Sequence, residues 1–241
     1  MGKAKAVYKR VLLKISGEGF ARPGHFGIDP DQVQYIASEA AQVHALGVEL
    51  AMVVGGGNMI RGQQIAEHGI SRTTGDTMGM LATVINALAL QHAIESQGIE
   101  TRLLTAFNMQ EVAEPFIRRR ALRHLEKKRV VIFAAGTGNP FFTTDTCAAL
   151  RASELDADLL IKATKVDGVY SDDPMINSDA ELFDKLSYDE VLTKKLKIMD
   201  QAAISLCSNN NIPIIVLNIF EKGNITKAIC DERVGTLIGC S

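Results

Sequence analysis

Two lysines stand where apolar strands would be expected to continue. Lys14 follows Val11-Leu12-Leu13, and Lys162 follows Leu159-Leu160-Ile161. An ammonium at the end of a buried strand needs compensation, because burying an unpaired charge is expensive. A phosphate oxygen could supply it; the bland alternative is a stem that carries the charge past the sheet edge into water. In an open α/β sheet both lysines would lie at carboxyl ends of strands, where ligands bind. Three glycine-bearing loops follow strand-like runs: Lys14-Ile15-Ser16-Gly17, Gly55-Gly56-Gly57-Asn58 and Gly136-Thr137-Gly138-Asn139-Pro140. Bare backbone at a strand end presents N–H groups to phosphates. The second loop leads on to Arg61, a planar donor fork. The third continues through Phe141-Phe142-Thr143-Thr144 to Asp145 and a predicted helix over Thr146 to Leu150. Taken alone, Asp145 reads as a first-turn dipole partner and Thr144 as the N-cap.

Familiar alternatives lack their residues. There is no Gly-x4-Gly-Lys-Ser/Thr string, and neither Gly55 nor Gly136 opens a Gly-x-Gly-x-x-Gly fingerprint. The five histidines show no metal-ligand spacing, and no Gly-x-Ser-x-Gly elbow occurs. The basic cluster Arg118, Arg119, Arg120, Arg123, Lys127, Lys128 and Arg129 lacks interleaved aromatics, so it reads as a solvated helix face rather than a nucleic-acid surface.

The elements that must position these residues are legible. Unbroken apolar runs at Val11–Leu13, Leu50–Val54, Val130–Phe133, Leu159–Ile161 and Ile214–Leu217 predict strands covered on both faces, as in a parallel sheet. Asp29 and Pro30 open a helix that Gly47 closes. A longer helix is expected from about Asp76 to Gly98, with Met78, Leu81, Ala82, Ile85, Leu88, Ala89 and His92 on one inward face. Ser187 and Glu190 have capping-box spacing. Strand and helix alternate almost throughout, so the fold class is α/β, a three-layer αβα sandwich around a mostly parallel sheet. The stretch from Asp167 to Lys185 is the least regular.

The chain has 241 residues, 46% of them hydrophobic, and a formal net charge of -2, so no overall field draws it to nucleic acid or an anionic membrane. No apolar stretch suggests a membrane span of about 20 residues, and the run after the basic N-terminus is too short for a signal segment. The scattered Cys147, Cys207, Cys230 and Cys240 suggest a reducing cytoplasm.

Several strings together resemble the amino acid kinase superfamily and, within it, the uridylate kinase branch. They are Tyr8-Lys9-Arg10 leading to Lys14-Ile15-Ser16-Gly17-Glu18, Gly55 to Gly62, Gly75 to Thr83, Gly136 to Asp145, and Lys162 to Tyr170. The resemblance covers nearly the whole chain and implies a single domain over residues 1–241. It also implies reversible transfer of the ATP γ-phosphoryl group to UMP in pyrimidine nucleotide biosynthesis, with Mg²⁺ accompanying ATP and no direct protein ligand to the metal. By the same resemblance Lys14, Ile15, Ser16, Gly17, Gly57, Arg61, Thr164, Tyr170 and Asp173 bind ATP. Gly56, Asp76, Thr137, Gly138, Asn139, Pro140, Phe141, Phe142, Thr143 and Thr144 bind UMP. Lys14, Lys162, Arg61 and Asp145 carry catalysis; Asp200 assists, or only caps its helix. A homohexamer, activation by GTP through Arg22, Pro23, Gly24, His25, Phe26 and Gly27, and inhibition by UTP are further implications. Gln91 and Glu95 stand where some relatives carry cations, which weakens the case for GTP. Competing readings are a relative that phosphorylates a carboxylate or carbamate, and a nucleotide sensor docking through Arg118 to Arg129.

Overall fold

The structure, a computed structural model, describes residues 5–60, 69–172, 174, 176, 177, 179–194, 196 and 198–239. The five predicted runs form β1 (Arg10–Ile15), β2 (Glu49–Val54), β5 (Val130–Ala134), β6 (Leu159–Thr164) and β10 (Ile214–Asn218). Four further strands join them: β3 (Thr101–Thr105), β4 (Glu114–Pro115), β9 (Lys185–Ser187) and β11 (Thr236–Gly239). Among the described residues they make a nine-stranded sheet in the order β4-β3-β5-β2-β1-β6-β10-β11-β9. Its pairings are parallel except β10 with β11. A separate hairpin, β7 (Val169–Tyr170) with β8 (Leu182–Phe183), lies within the irregular stretch.

Strand alternation divides the core into two halves. Val11, Leu13 and Ile15 face a layer built from α1 (Pro30–Ala45), α2 (Arg72–Glu95) and α7 (Asn224–Ile229). Leu12 and Leu160 face the other layer, built from α3 (Arg118–Glu126), α4 (Thr144–Glu154), α5 (Tyr188–Thr193) and α6 (Gln201–Asn209). This is the expected αβα sandwich. The caps follow from local chemistry: the Asp29 side chain accepts from Asp31 N and Gln32 N, Gly47 adopts a left-handed φ of 79°, and Ser187 and Glu190 close a reciprocal capping box.

Helix α2 departs from expectation twice. It begins at Arg72, where the Ser71 hydroxyl caps the first turn by accepting from Thr74 N at 3.2 Å and is itself bonded to the Thr73 and Thr74 hydroxyls. Its inward face carries Met80, Thr83, Val84, Ala87 and Leu90, while Leu81, Ile85 and Leu88 are exposed. A helix apolar on both sides gives periodicity no single direction to report. By length and composition α2 could cross a membrane, yet half of its most apolar stretch is buried and it packs on α1, β3 and β5.

Candidate active site

Lys14 and Lys162 are register partners on the adjacent parallel strands β1 and β6. Each lies two residues beyond Leu12 or Leu160, so both side chains project toward the α4 layer. Helix α4 begins there, its N-cap being Thr143 rather than Thr144: the Thr143 hydroxyl accepts from Asp145 N and Thr146 N, and Thr144 is the first helical residue. Asp145, in its first turn, reaches between the lysines. Lys14 Nζ lies 2.7 Å from Asp145 Oδ1, and Lys162 Nζ donates to Asp145 Oδ2 at 2.8 Å. The Lys162 ammonium also donates to Ile198 O. The buried lysines thus have a protein counter-ion, a third outcome beside phosphate and water.

The charges are unequal in demand. Burial pushes the Asp145 carboxyl up, but Lys14 and Lys162 outweigh it and hold it below the usual 3.8. Burial pulls the Lys162 ammonium below the usual 10.5; Asp145 opposes this and Lys14 reinforces it. Two cations thus share one direct carboxylate, and the more distant Asp200 adds a weaker opposing charge on Lys162. Asp145 Oδ1 is in ion-pair contact with Lys14 but has no hydrogen bond of proper angle among the described residues.

On one side of this cluster lies a cavity of about 1150 Å³, lined by Lys14, Ile15, Ser16, Gly57, Lys162, Thr164 and Tyr170. It therefore collects the expected donor residues. Ile15 contributes backbone, its side chain being buried in the core. Gly17 stays outside the lining for a packing reason: a Cβ there would fall on Gly57 N, and one at Gly55 would come within 2.6 Å of Gly17 N. The first two glycine loops touch backbone to backbone. Arg22, Pro23, Gly24, His25 and Phe26 border the same cavity, so the expected effector loop is also a donor-side wall. Arg61 and Asp173 lie outside the described residues.

The expected acceptor residues gather on the other side. The Gly136 loop crosses the carboxyl edge of the sheet from one helix layer to the other. Thr83 on α2 holds its root, accepting from Ala135 N at 2.7 Å, and Asp76 holds its tip, accepting from Phe141 N at 2.9 Å. Asp76 is also paired with Arg72 at 2.8 Å. Thr137 and Asn139 bond to each other within the loop, and Gly138 has a left-handed φ of 79°. Phe141 and Phe142 stand exposed beside Pro140. Gly56 must be glycine because a Cβ would meet Gly79 O at 2.7 Å on α2. Asp200 caps α6 through Ala203 N, and it also accepts from the Thr143 and Thr146 hydroxyls. Capping is therefore not its sole role.

Part of the wider basic cluster is paired locally: Arg118 with Asp156, Arg120 with Glu114, Lys128 with Glu49 and Arg129 with Glu100. Gln91 donates to Glu95. Sequence reasoning missed Asn86, whose signal was an amide interrupting an otherwise apolar helix; it is fully buried against Asn58.

Comparison with known proteins decides the family. The model of the Amino acid kinase family matches residues 9–218. The chain belongs to the amino acid kinase family. Within that family it is similar to "Uridylate kinase PUMPKIN, chloroplastic" of Arabidopsis thaliana, with 60% identity over 233 residues, 96% of this chain and 69% of that protein. The UMP kinase of Bacillus anthracis superposes with a TM-score of 0.94 at 40% identity, covering 96% of each chain. That of Ureaplasma parvum gives 0.91 at 34% identity, covering 96% of this chain and 99% of the other. These structures share the fold of this chain over nearly its whole length.

Proposed function

We propose that this amino acid kinase transfers the γ-phosphoryl group of ATP to UMP, giving ADP and UDP. The observation that carries the reading is the Lys14–Asp145–Lys162 cluster, set between a donor-sized cavity and the Gly136–Thr144 loop. Phosphoryl transfer demands positioning and charge neutralisation more than covalent chemistry. Two preorganised ammonium groups at the cavity stabilise charge where it develops on the transferring group. The acceptor phosphate is itself the nucleophile, so no strong general base is needed.

In this reading Lys14 to Ser16 and Gly57 border the donor phosphates, Gly17 packs the Gly57 loop beside them, Thr164 and Tyr170 hold the base and ribose, and Arg61 and Asp173 bind ATP as the resemblance implies. Gly56, Asp76 and Thr137 to Thr144 hold UMP, with Asp76 on a ribose hydroxyl. The described residues contain no group of three or more acidic, histidine or cysteine side chains fit to bind a metal. The Asp145 carboxylate, held between Lys14 and Lys162 at the edge of the cavity, has the chemistry to orient a water on a phosphate-borne Mg²⁺. Bound there, Mg²⁺ would neutralise phosphate charge.

The nine-stranded sheet draws strands from Arg10 to Gly239, which supports one domain. The exposed Leu81, Ile85 and Leu88 recur at helical spacing on α2, supporting self-association toward a homohexamer. GTP activation through Arg22 to Gly27, UTP inhibition and a place in pyrimidine nucleotide biosynthesis rest on the resemblance, and a cytoplasmic location rests on the scattered cysteines. The test is ADP release with ATP and Mg²⁺ against UMP, CMP, dTMP, AMP, aspartate and carbamate. Turnover restricted to UMP is expected; turnover of aspartate or carbamate without UMP would overturn the acceptor.

A further inference from the structure

Asn58 and Asn86 form a buried carboxamide pair that touches three parts of the site at once. Asn58 Nδ2 donates to Gly27 O at 2.7 Å and to Asn86 Oδ1 at 3.0 Å. Asn86 Nδ2 donates to Gly55 O and to Asn58 Oδ1, both at 2.7 Å. The Gly27 N–H returns a bond to Asn58 O at 2.9 Å. Each primary amide has two N–H donors, so both are saturated.

The partners are informative. Gly55 and Asn58 belong to the loop against which Gly17 packs, and Gly27 ends the segment that walls the donor cavity. Asn86 belongs to α2, the helix whose Thr83 and Asp76 hold the root and tip of the acceptor loop. One uncharged pair therefore joins the donor loops to the acceptor-bearing helix. An apolar residue of similar size at 86 would leave Gly55 O and an amide of Asn58 unsatisfied in the interior.

We propose that Asn86, acting through Asn58, is a positioning residue that fixes the spacing between donor and acceptor nucleotides. The proposal rests on the phosphoryl-transfer reading. In-line transfer depends on that spacing, and a misplacement of about 1 Å can cost roughly 100-fold in rate. Asn86 does not itself touch the reacting groups, so its removal loosens alignment while leaving each binding surface built.

The test compares the full-length parent with Asn86→Ala and Asn86→Ser, measuring kcat, both KM values, melting temperature, and calorimetric binding of UMP and of a non-hydrolysable ATP analogue. In Asn86→Ala, kcat is expected to fall roughly 10- to 100-fold, with each nucleotide bound within about threefold of the parent and the pH–rate profile unshifted. Asn86→Ser, which keeps a hydroxyl donor, is expected to fall between, and it carries the same test if Asn86→Ala does not fold. A kcat per binding-competent site equal to the parent's in a folded variant would overturn the role, as would a loss explained by weakened binding alone. A parent active with another acceptor but silent with UMP overturns the acceptor reading instead; the variants are then scored with the acceptor the parent uses.

Discussion

Strand β1 has a buried ion cluster at each end, and the two do different work. At its amino end Arg10 pairs with Glu49 of β2 at 2.8 Å and also donates to Leu155 O, while Lys128 approaches the same carboxylate at 3.7 Å. At its carboxyl end Lys14 and Lys162 share Asp145. Burial does not distinguish them: Arg10 and Glu49 side chains are 13% and 4% exposed, and Lys14, Asp145 and Lys162 are 9%, 14% and 14% exposed. The difference lies in what the charges face. The Arg10 guanidinium is engaged on all three nitrogens by protein oxygens. The carboxyl-end lysines instead line a large cavity, open to a further anionic ligand. A buried charge therefore points to function when its surroundings leave it a further ligand to bind.

The comparison breaks or sharpens under substitution. Asp145→Asn should give the largest effect, because it leaves two buried ammonium groups facing each other: a kcat loss of roughly 100-fold or more and about 3–5 kcal/mol of stability, read by steady-state kinetics and denaturant melts. The pH profile should carry the same signature. With its ammonium destabilised, Lys162 releases its proton below pH 10.5, so turnover falls before free lysine would titrate. Stability rises with pH between that folded value and 10.5, since the unfolded chain still holds the proton. On the acid side, Asp145 contributes stability above 3.8 that is lost as pH falls through its lower folded value. At the other end of β1, Arg10→Ala should cost about 3 kcal/mol yet leave kcat per folded molecule unchanged. Gly17→Ala forces a Cβ onto Gly57 N and should cost about 1–3 kcal/mol, with ATP KM raised. Ser187→Ala, which breaks the capping box of α5, should lower stability by about 1 kcal/mol without altering kinetics.

Much of the architecture was legible because central parallel strands are apolar on both faces. Val11–Leu13 and Ile214–Leu217 announce themselves. Strand β3 did not, since it opens with Thr101 and Arg102, and β11 is a short edge-side strand holding a buried Thr236. The inward face of α2 was misjudged because the helix carries a second apolar stripe that this chain alone leaves exposed. At the site, Lys14 and Lys162 stood out by breaking a pattern, yet nothing local marked Asp145 as their shared counter-ion. That contact joins β1, β6 and α4 and exists only once the layers are stacked. The shift of the N-cap from Thr144 to Thr143 reflects adjacent residues of identical chemistry, which only backbone geometry separates.

The central claim is that the carboxyl-end cluster carries phosphoryl transfer, and Lys14→Ala tests it most directly. UDP formation at saturating ATP, Mg²⁺ and UMP should fall by roughly 100-fold or more in a folded protein that still binds UMP with near-parental affinity. Parental turnover in Lys14→Ala would contradict the account, as would loss of folding and UMP binding together.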